Sequence, residues 1–135
     1  MQWIVLVAGS RRLYDRITSM AFPGHVTRYG VTETRYFVDF GADHVFVDDD
    51  PMGLISGDYD PGQLEVLPFS HPHLVMIVYT SEARMRDIVT ANDFPRGVFV
   101  DNGFGLIVPV EEFVALGLPM DPDRHACDSS RGGAS

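Results

Sequence analysis

The side chains of this sequence with chemical potential are mostly carboxylates and histidines. Between Tyr36 and Ser81 lie eight acids (Asp39, Asp43, Asp48, Asp49, Asp50, Asp58, Asp60 and Glu65) and no arginine. Acid–base catalysis needs paired carboxylates that converge and are partly desolvated. These acids fall in turn-rich segments, which points to solvated charge. Asp48-Asp49-Asp50 does not make a calcium loop, which takes acids at alternate positions, a central glycine and a closing glutamate. The cluster suits steering toward, and pairing with, a cationic partner. The histidines are His25, His44, His71, His73 and His125. Alternate residues of a strand share a face, so His71-Pro72-His73 could aim both rings one way. With Glu65 or Asp39 that pair would supply the ligands of a metal site; the preferred reading is ordinary loop histidines, with no metal and no cofactor. Cys127 is the single cysteine, which excludes an internal disulfide and a CxxC site. The chain holds no Gly-x-Ser-x-Gly, no Walker loop and no Cys–His nucleophile pair. No catalytic residue is assigned, and the expectation is a protein that is not an enzyme.

The charge is unevenly placed. Nineteen acids face ten basic residues, all arginine, for a net charge of −9. The acid-rich middle segment carries nearly all of the excess. Such a field repels phosphate backbones, which disfavours nucleic acid as a partner. No apolar run reaches the ~18–20 residues of a membrane helix, so no membrane partner is expected. Met1 to Val7 is apolar but lacks the basic leader and cleavage site of a signal peptide, which predicts a cytoplasmic protein.

These residues must be held by strands and short helices. Trp3 to Ala8 and Leu74 to Tyr79 are continuous apolar runs that predict buried strands. Ser10 to Ala21 and Ser81 to Asn92 predict helices, with Ser10 and Ser81 as N-caps. At an offset of 72, Arg12, Asp15, Thr18, Phe22 and Pro23 match Arg84, Asp87, Thr90, Phe94 and Pro95. After each Phe-Pro a β-hairpin is expected, at Arg35–Val47 and Gly97–Pro109. Both hairpins contain Phe-Val-Asp-x-Gly, with glycine suited to the turn. A loop is expected from Gly24 to Glu33. Gln63 to Phe69 is a candidate edge strand, because of Pro68. Pro109 to Gly117 predicts a last short helix.

The fold class expected is α+β: two pseudo-repeated β-α-β-β modules, about 1–70 and 71–119, forming one mostly antiparallel sheet with helices on one face. Residues 1–119 make the domain and 120–135 a loose tail. In the first hairpin Phe46 shares a face with His44 and Asp48, opposite Val45 and Val47. Few helices and two partly apolar sheet faces leave surplus apolar surface, of the kind that becomes a partner or homodimer interface.

Three resemblances follow from these features. Val5-Leu-Val-Ala-Gly-Ser-Arg11 resembles the first strand of Rossmann-like proteins of the lysine-decarboxylase-like group, but their Gly-Gly-x-Gly-Thr loop is missing; a structural turn is preferred to an anion site at Gly9 to Arg12. The paired modules are similar in element order to vicinal-oxygen-chelate metalloenzymes and related drug-binding proteins. That likeness implies an alternative function, a small-molecule binder or metal-dependent enzyme using the groove between modules. The size, the acidity, the Phe37–Asp48 hairpin and the Val100–Glu112 hairpin-to-helix corner resemble small bacterial immunity proteins of polymorphic-toxin or contact-dependent systems. The implied function is a non-enzymatic inhibitor that binds a cognate toxin with a basic surface. Asp39, Asp43, Asp48, Asp49, Asp50, Asp58 and Asp60 would supply charge, and Phe46, Tyr59 and Met52 would be apolar anchors.

Overall fold

The computed structural model describes residues 2–50, 59, 62, 67–103 and 105–120. The chain is α+β. Seven strands, β1 (Gln2–Ala8), β2 (Thr27–Thr32), β3 (Arg35–Asp39), β4 (His44–Asp49), β5 (His73–Tyr79), β6 (Phe99–Asp101) and β7 (Ile107–Pro109), form one sheet in the order β2-β3-β4-β5-β1-β6-β7. Every pairing among them is antiparallel. The helices made wholly of described residues are α1 (Leu13–Ser19), α2 (Glu82–Ala91) and α3 (Val110–Ala115). None of the described helices is long and apolar enough to cross a membrane.

The two continuous apolar runs are the paired strands at the centre, β1 and β5, in register from Gln2 opposite Tyr79 to Ala8 opposite His73. Ile4 to Ala8 and Leu74 to Ile77 are apolar at successive positions because both sheet faces are largely covered there. Ile4, Leu6, Val75, Ile77 and Tyr79 face the helices and pack with Leu13, Ile17, Met85, Ile88 and Phe113. Val5, Val7 and Leu74 face the other way, against Leu67, with Tyr59, Phe69, Met76, Phe99 and Ile107 around them. Within the sheet, β4-β5-β1-β6 together with α1 and α2 make two interlocked split β-α-β units. Each crossover brings its second strand to the far side of the other unit's central strand. The β2-β3 hairpin is inserted into the first crossover and widens the sheet; β7 and α3 follow the second.

The Phe-Val-Asp-x-Gly segments adopt the same local turn. Asp39 Oδ1 accepts from the Gly41 N–H and Asp101 Oδ1 from the Gly103 N–H, both at 2.8 Å. Gly41 (φ 88°) and Gly103 (φ 81°) supply the left-handed residue. The two segments nevertheless end different kinds of strand: β6 lies beside the central pair, whereas β3 is separated from it by β4.

Several elements differ from the sequence expectation. The segment expected as a loop from Gly24 to Glu33 contains strand β2, which pairs with β3 through a bulge between Gly30 and Thr32. Ser81 caps α2, its hydroxyl accepting from the Arg84 N–H at 3.2 Å. Ser10 does not cap α1; it accepts from the Arg12 N–H two residues on, and the helix starts later. Residues 67–69 are not in a strand, and Gln63 to Val66 lie outside the described residues. The packed domain reaches Met120, which is buried in the core. The Asn102 amide holds this end by donating to the Pro119 carbonyl at 2.7 Å. The remainder of the expected tail, with His125 and Cys127, lies outside the described residues.

Candidate functional site: the sheet face away from the helices

The strand register places one row of large side chains across five strands on the face opposite α1, α2 and α3. Tyr29 of β2 is opposite Phe37 of β3, Phe37 opposite Phe46 of β4, Phe46 opposite Val78 of β5, and Val78 opposite Trp3 of β1. The rings are in contact. Tyr29 and Phe37 have centroids 5.5 Å apart, Phe37 and Phe46 5.0 Å, and His44 packs edge-on to Phe46 at 5.4 Å. At the far end Trp3 lies against Gly103, where a Cβ would come within 2.9 Å of the indole. The row is accessible: Tyr29 is 54% and Trp3 38% exposed, and Phe37, His44 and Phe46 are half-buried. Antiparallel pairing makes such cross-strand stacks favourable, and their outer faces present contiguous apolar surface.

One row further along, Arg35 and Asp48 form a two-pronged ion pair at 2.7 and 3.1 Å. The Arg35 guanidinium lies over the Phe46 ring, 4.6 Å from its centroid. The hydrogen bond to Asp48 raises the Arg35 pKa further, so it stays charged. On the opposite side of the aromatic row, Asp39 pairs in register with His44.

The acids singled out in the sequence are divided by the fold. Asp39, Asp48 and the ring of Phe46 share this face. Asp49 is turned to the helix side, in register with Val75, and Asp49 and Asp48 both act, after burial, to raise the pKa of Tyr14 on α1. Asp43, in the β3–β4 turn, binds Arg84 of α2 at 2.9 and 3.4 Å, and that guanidinium also lies 4.3 Å over the Phe40 ring. Asp50 follows β4, its N–H donating to Asp49 Oδ1 at 2.9 Å. Asp58, Asp60 and Met52 lie outside the described residues, as does Glu65. The described acids of the middle segment therefore do not form a single unpaired patch.

Tyr59 is on the same sheet face as Phe46 but on its other half. It packs near Val5, Val7, Phe99 and Ile107, and its hydroxyl donates to Asp101 Oδ2. Asp101 is buried, and with the Gly103 N–H on Oδ1 both carboxylate oxygens are engaged. Burial first, then the bond to Asp101 and its charge, push the Tyr59 pKa well above the usual phenol value. Tyr59 is thus tied to this half of the face through Asp101.

Tyr29, Phe37, His44 and Trp3 were not among the sequence candidates. Tyr29 was hidden because β2 reads as a loop. Its signal is the Tyr29-x-Val31 alternation broken by Gly30. His73 is half-buried at the start of β5 and His71 is exposed just before it. Among the described residues, no three His, Cys, Asp or Glu side chains are grouped as a metal ion would need. Comparison of the chain with protein-family models, with curated proteins and with solved structures found no match.

Proposed function

We propose that this protein is a non-enzymatic inhibitor of the immunity type, which binds a cognate protein toxin with a basic surface and blocks it. The single observation that carries the reading is the stacked row Tyr29-Phe37-Phe46, continued to Trp3, on the sheet face away from the helices. Exposed aromatics held rigid by their neighbours lose little entropy on binding and dominate protein–protein contacts. Asp39 and the Arg35-paired Asp48 stand at the margins of the row, and the net charge of −9 adds a long-range field suited to a cationic partner. Asp58, Asp60, Tyr59 and Met52 belong to the same reading as further contacts.

The same reading takes residues 1–70 and 71–119 as pseudo-repeated halves. Thr18 and Thr90 support it: each hydroxyl donates to the carbonyl four residues earlier, at 3.0 and 2.9 Å. It also takes the protein to act in the cytoplasm, and the exposed edge strand β2, with Val31 48% exposed, leaves room for a homodimer.

The test is co-expression with the toxin encoded by a neighbouring gene. Cells carrying the pair survive, and Tyr29→Ala, at an exposed position that the fold does not need, weakens binding of the purified toxin by about tenfold or more. Neutralising Asp48, Asp49 and Asp50 together slows association by about tenfold at low salt and much less at high salt. Toxin binding that is indifferent to Tyr29→Ala and to salt would remove this face from consideration.

A further inference from the structure

A cleft of about 430 Å³ opens on the helix side of the sheet, between α1 and the segment joining α2 to β6. Its floor is apolar and fixed: Leu13, Ile17 and Val98 are core residues. Met20, Phe94 and Pro95 form its walls. Past Leu13 and Arg16 it continues into a smaller chamber of about 170 Å³, bordered by Ser10, Arg96 and Phe69. The larger chamber alone is of a size that holds a compact organic molecule.

The polar side chains at this cleft are Asn92, Asp93, Arg16 and, on the smaller chamber, Ser10 and Arg96. The Asn92 amide borders it but is fully committed, its oxygen to the Ala21 N–H and its nitrogen to the Ala21 and Ile88 carbonyls. Arg16 lies at the seam of the two chambers and Arg96 on the smaller one. Among the described residues neither has a carboxylate within ion-pair distance. Arg35, Arg84 and Arg86 each have one, and among the described arginines without one, which include Arg11 and Arg12, it is Arg16 and Arg96 that border the cleft. Arg28 is occupied with the Met20 and Thr18 carbonyls. Two unpaired guanidiniums beside an apolar cavity, in a chain of net charge −9, are a recognition element for an oxyanion attached to an apolar body. Asp93 also borders the larger chamber and makes no ion pair with Arg16. Its charge opposes a dianion and orients a monoanion toward the Arg96 side.

We propose that this cleft is a binding site for a small amphipathic monoacid: an aromatic or aliphatic body against Leu13, Ile17, Phe94 and Val98, with its carboxylate between Arg16 and Arg96. The larger chamber is on the helix side of the sheet, opposite the aromatic row, and none of the row's residues lines either chamber, so the proposal does not depend on that row binding a toxin.

The probe is 2-naphthoate, titrated into the full chain by calorimetry, with the neutral 2-naphthylmethanol as comparator. The expected result is saturable binding of one molecule, weaker by about tenfold or more for the alcohol and for the Arg16→Gln/Arg96→Gln variant. Both arginines are exposed, so that variant keeps the fold, checked by an unchanged circular dichroism spectrum and melting temperature. Methyl resonances of Ile17 and Val98 shift on binding, and Tyr29→Ala binds like the parent. The proposal is overturned by no saturable binding, by equal affinity for acid and alcohol, or by binding that the arginine substitutions leave unchanged.

Discussion

Replacing Tyr59 by phenylalanine removes one hydroxyl and leaves the ring. In the folded protein that hydroxyl donates to Asp101, a carboxylate 6% exposed whose other oxygen is held by the Gly103 N–H. Losing a donor to a buried charged acceptor costs about 2 kcal/mol. The pH dependence gives a sharper test. The folded-state pKa of Tyr59 is raised, by burial and then by Asp101. Below the ordinary phenol value of ~10, folded and unfolded chains both hold the proton, and the full stabilisation is present. Above it the unfolded chain releases the proton and the folded chain keeps it, so stability falls with rising pH, by at most about 1.4 kcal/mol per unit for one proton. Tyr59 is only half-buried, and solvent screening makes the observed slope shallower than that limit. Tyr59→Phe lacks this proton. Urea unfolding from pH 7 to 11, followed by circular dichroism, is expected to show the variant less stable at neutral pH and the gap narrowing above pH ~10. Tyr14 also has a raised pKa, but it is common to both proteins and cancels in the difference. Curves that remain parallel across the whole range would show that burial and Asp101 do not hold the Tyr59 proton.

Two further substitutions test how the framework is held. Asn92→Ala removes the bonds that tie the end of α2 to Ala21, with an expected loss of about 1–2 kcal/mol by chemical denaturation. Asn92→Asp does no better, because a carboxylate cannot donate to the Ala21 and Ile88 carbonyls and adds negative charge at a helix C-terminus; wild-type stability in that variant would contradict the assignment. Gly103→Ala places a methyl 2.9 Å from the Trp3 ring at a φ of 81°, and is expected to cost about 1–3 kcal/mol. Trp3 is the single tryptophan, so its emission reports the displacement directly; an unshifted spectrum with unchanged stability would show that the indole does not rest on this glycine.

What the sequence made legible was set by where burial is complete. β1 and β5 are apolar at successive positions because both faces are covered, and such runs are conspicuous. The β3-β4 hairpin was legible from the alternation of Val45 and Val47 with His44, Phe46 and Asp48, and the structure keeps those faces. β2 was not legible: Thr27 to Thr32 lies at the sheet edge, mostly exposed, with Gly30 and a bulge in the middle, so no core face imposes a period on it. The order of strands was also beyond the sequence. Phe-Val-Asp-x-Gly specifies a turn through an Asp side chain and a left-handed glycine, both local. Which strand of each hairpin lies nearer the central pair depends on the crossover, and the β2-β3 insertion occurs in only one of the two. In the aromatic row, Phe46 is placed by the legible β3-β4 hairpin, whereas Tyr29 joins the row only once β2 is paired.

The placement of the arginines changes what the acids can do. A count of charges along the chain suggests an open negative surface in the middle third. In the folded protein Arg84 reaches over from α2 to engage Asp43, and Arg35 engages Asp48 with both prongs directly above Phe46. A partner that covers Phe46 must then either leave Arg35–Asp48 at the rim or desolvate it. Desolvating a paired carboxylate costs several kcal/mol unless new bonds replace the old. Asp39 has no such cation among the described residues, and lies on the other margin of the row beside His44. For the cationic partner of the proposed function, the favoured approach would be from the Asp39 side, with the Arg35–Asp48 pair kept wet. On the proposed function, affinity would reside in the aromatic row and orientation in the uneven charge of its two margins. The long-range field of the net negative chain acts on the rate of encounter.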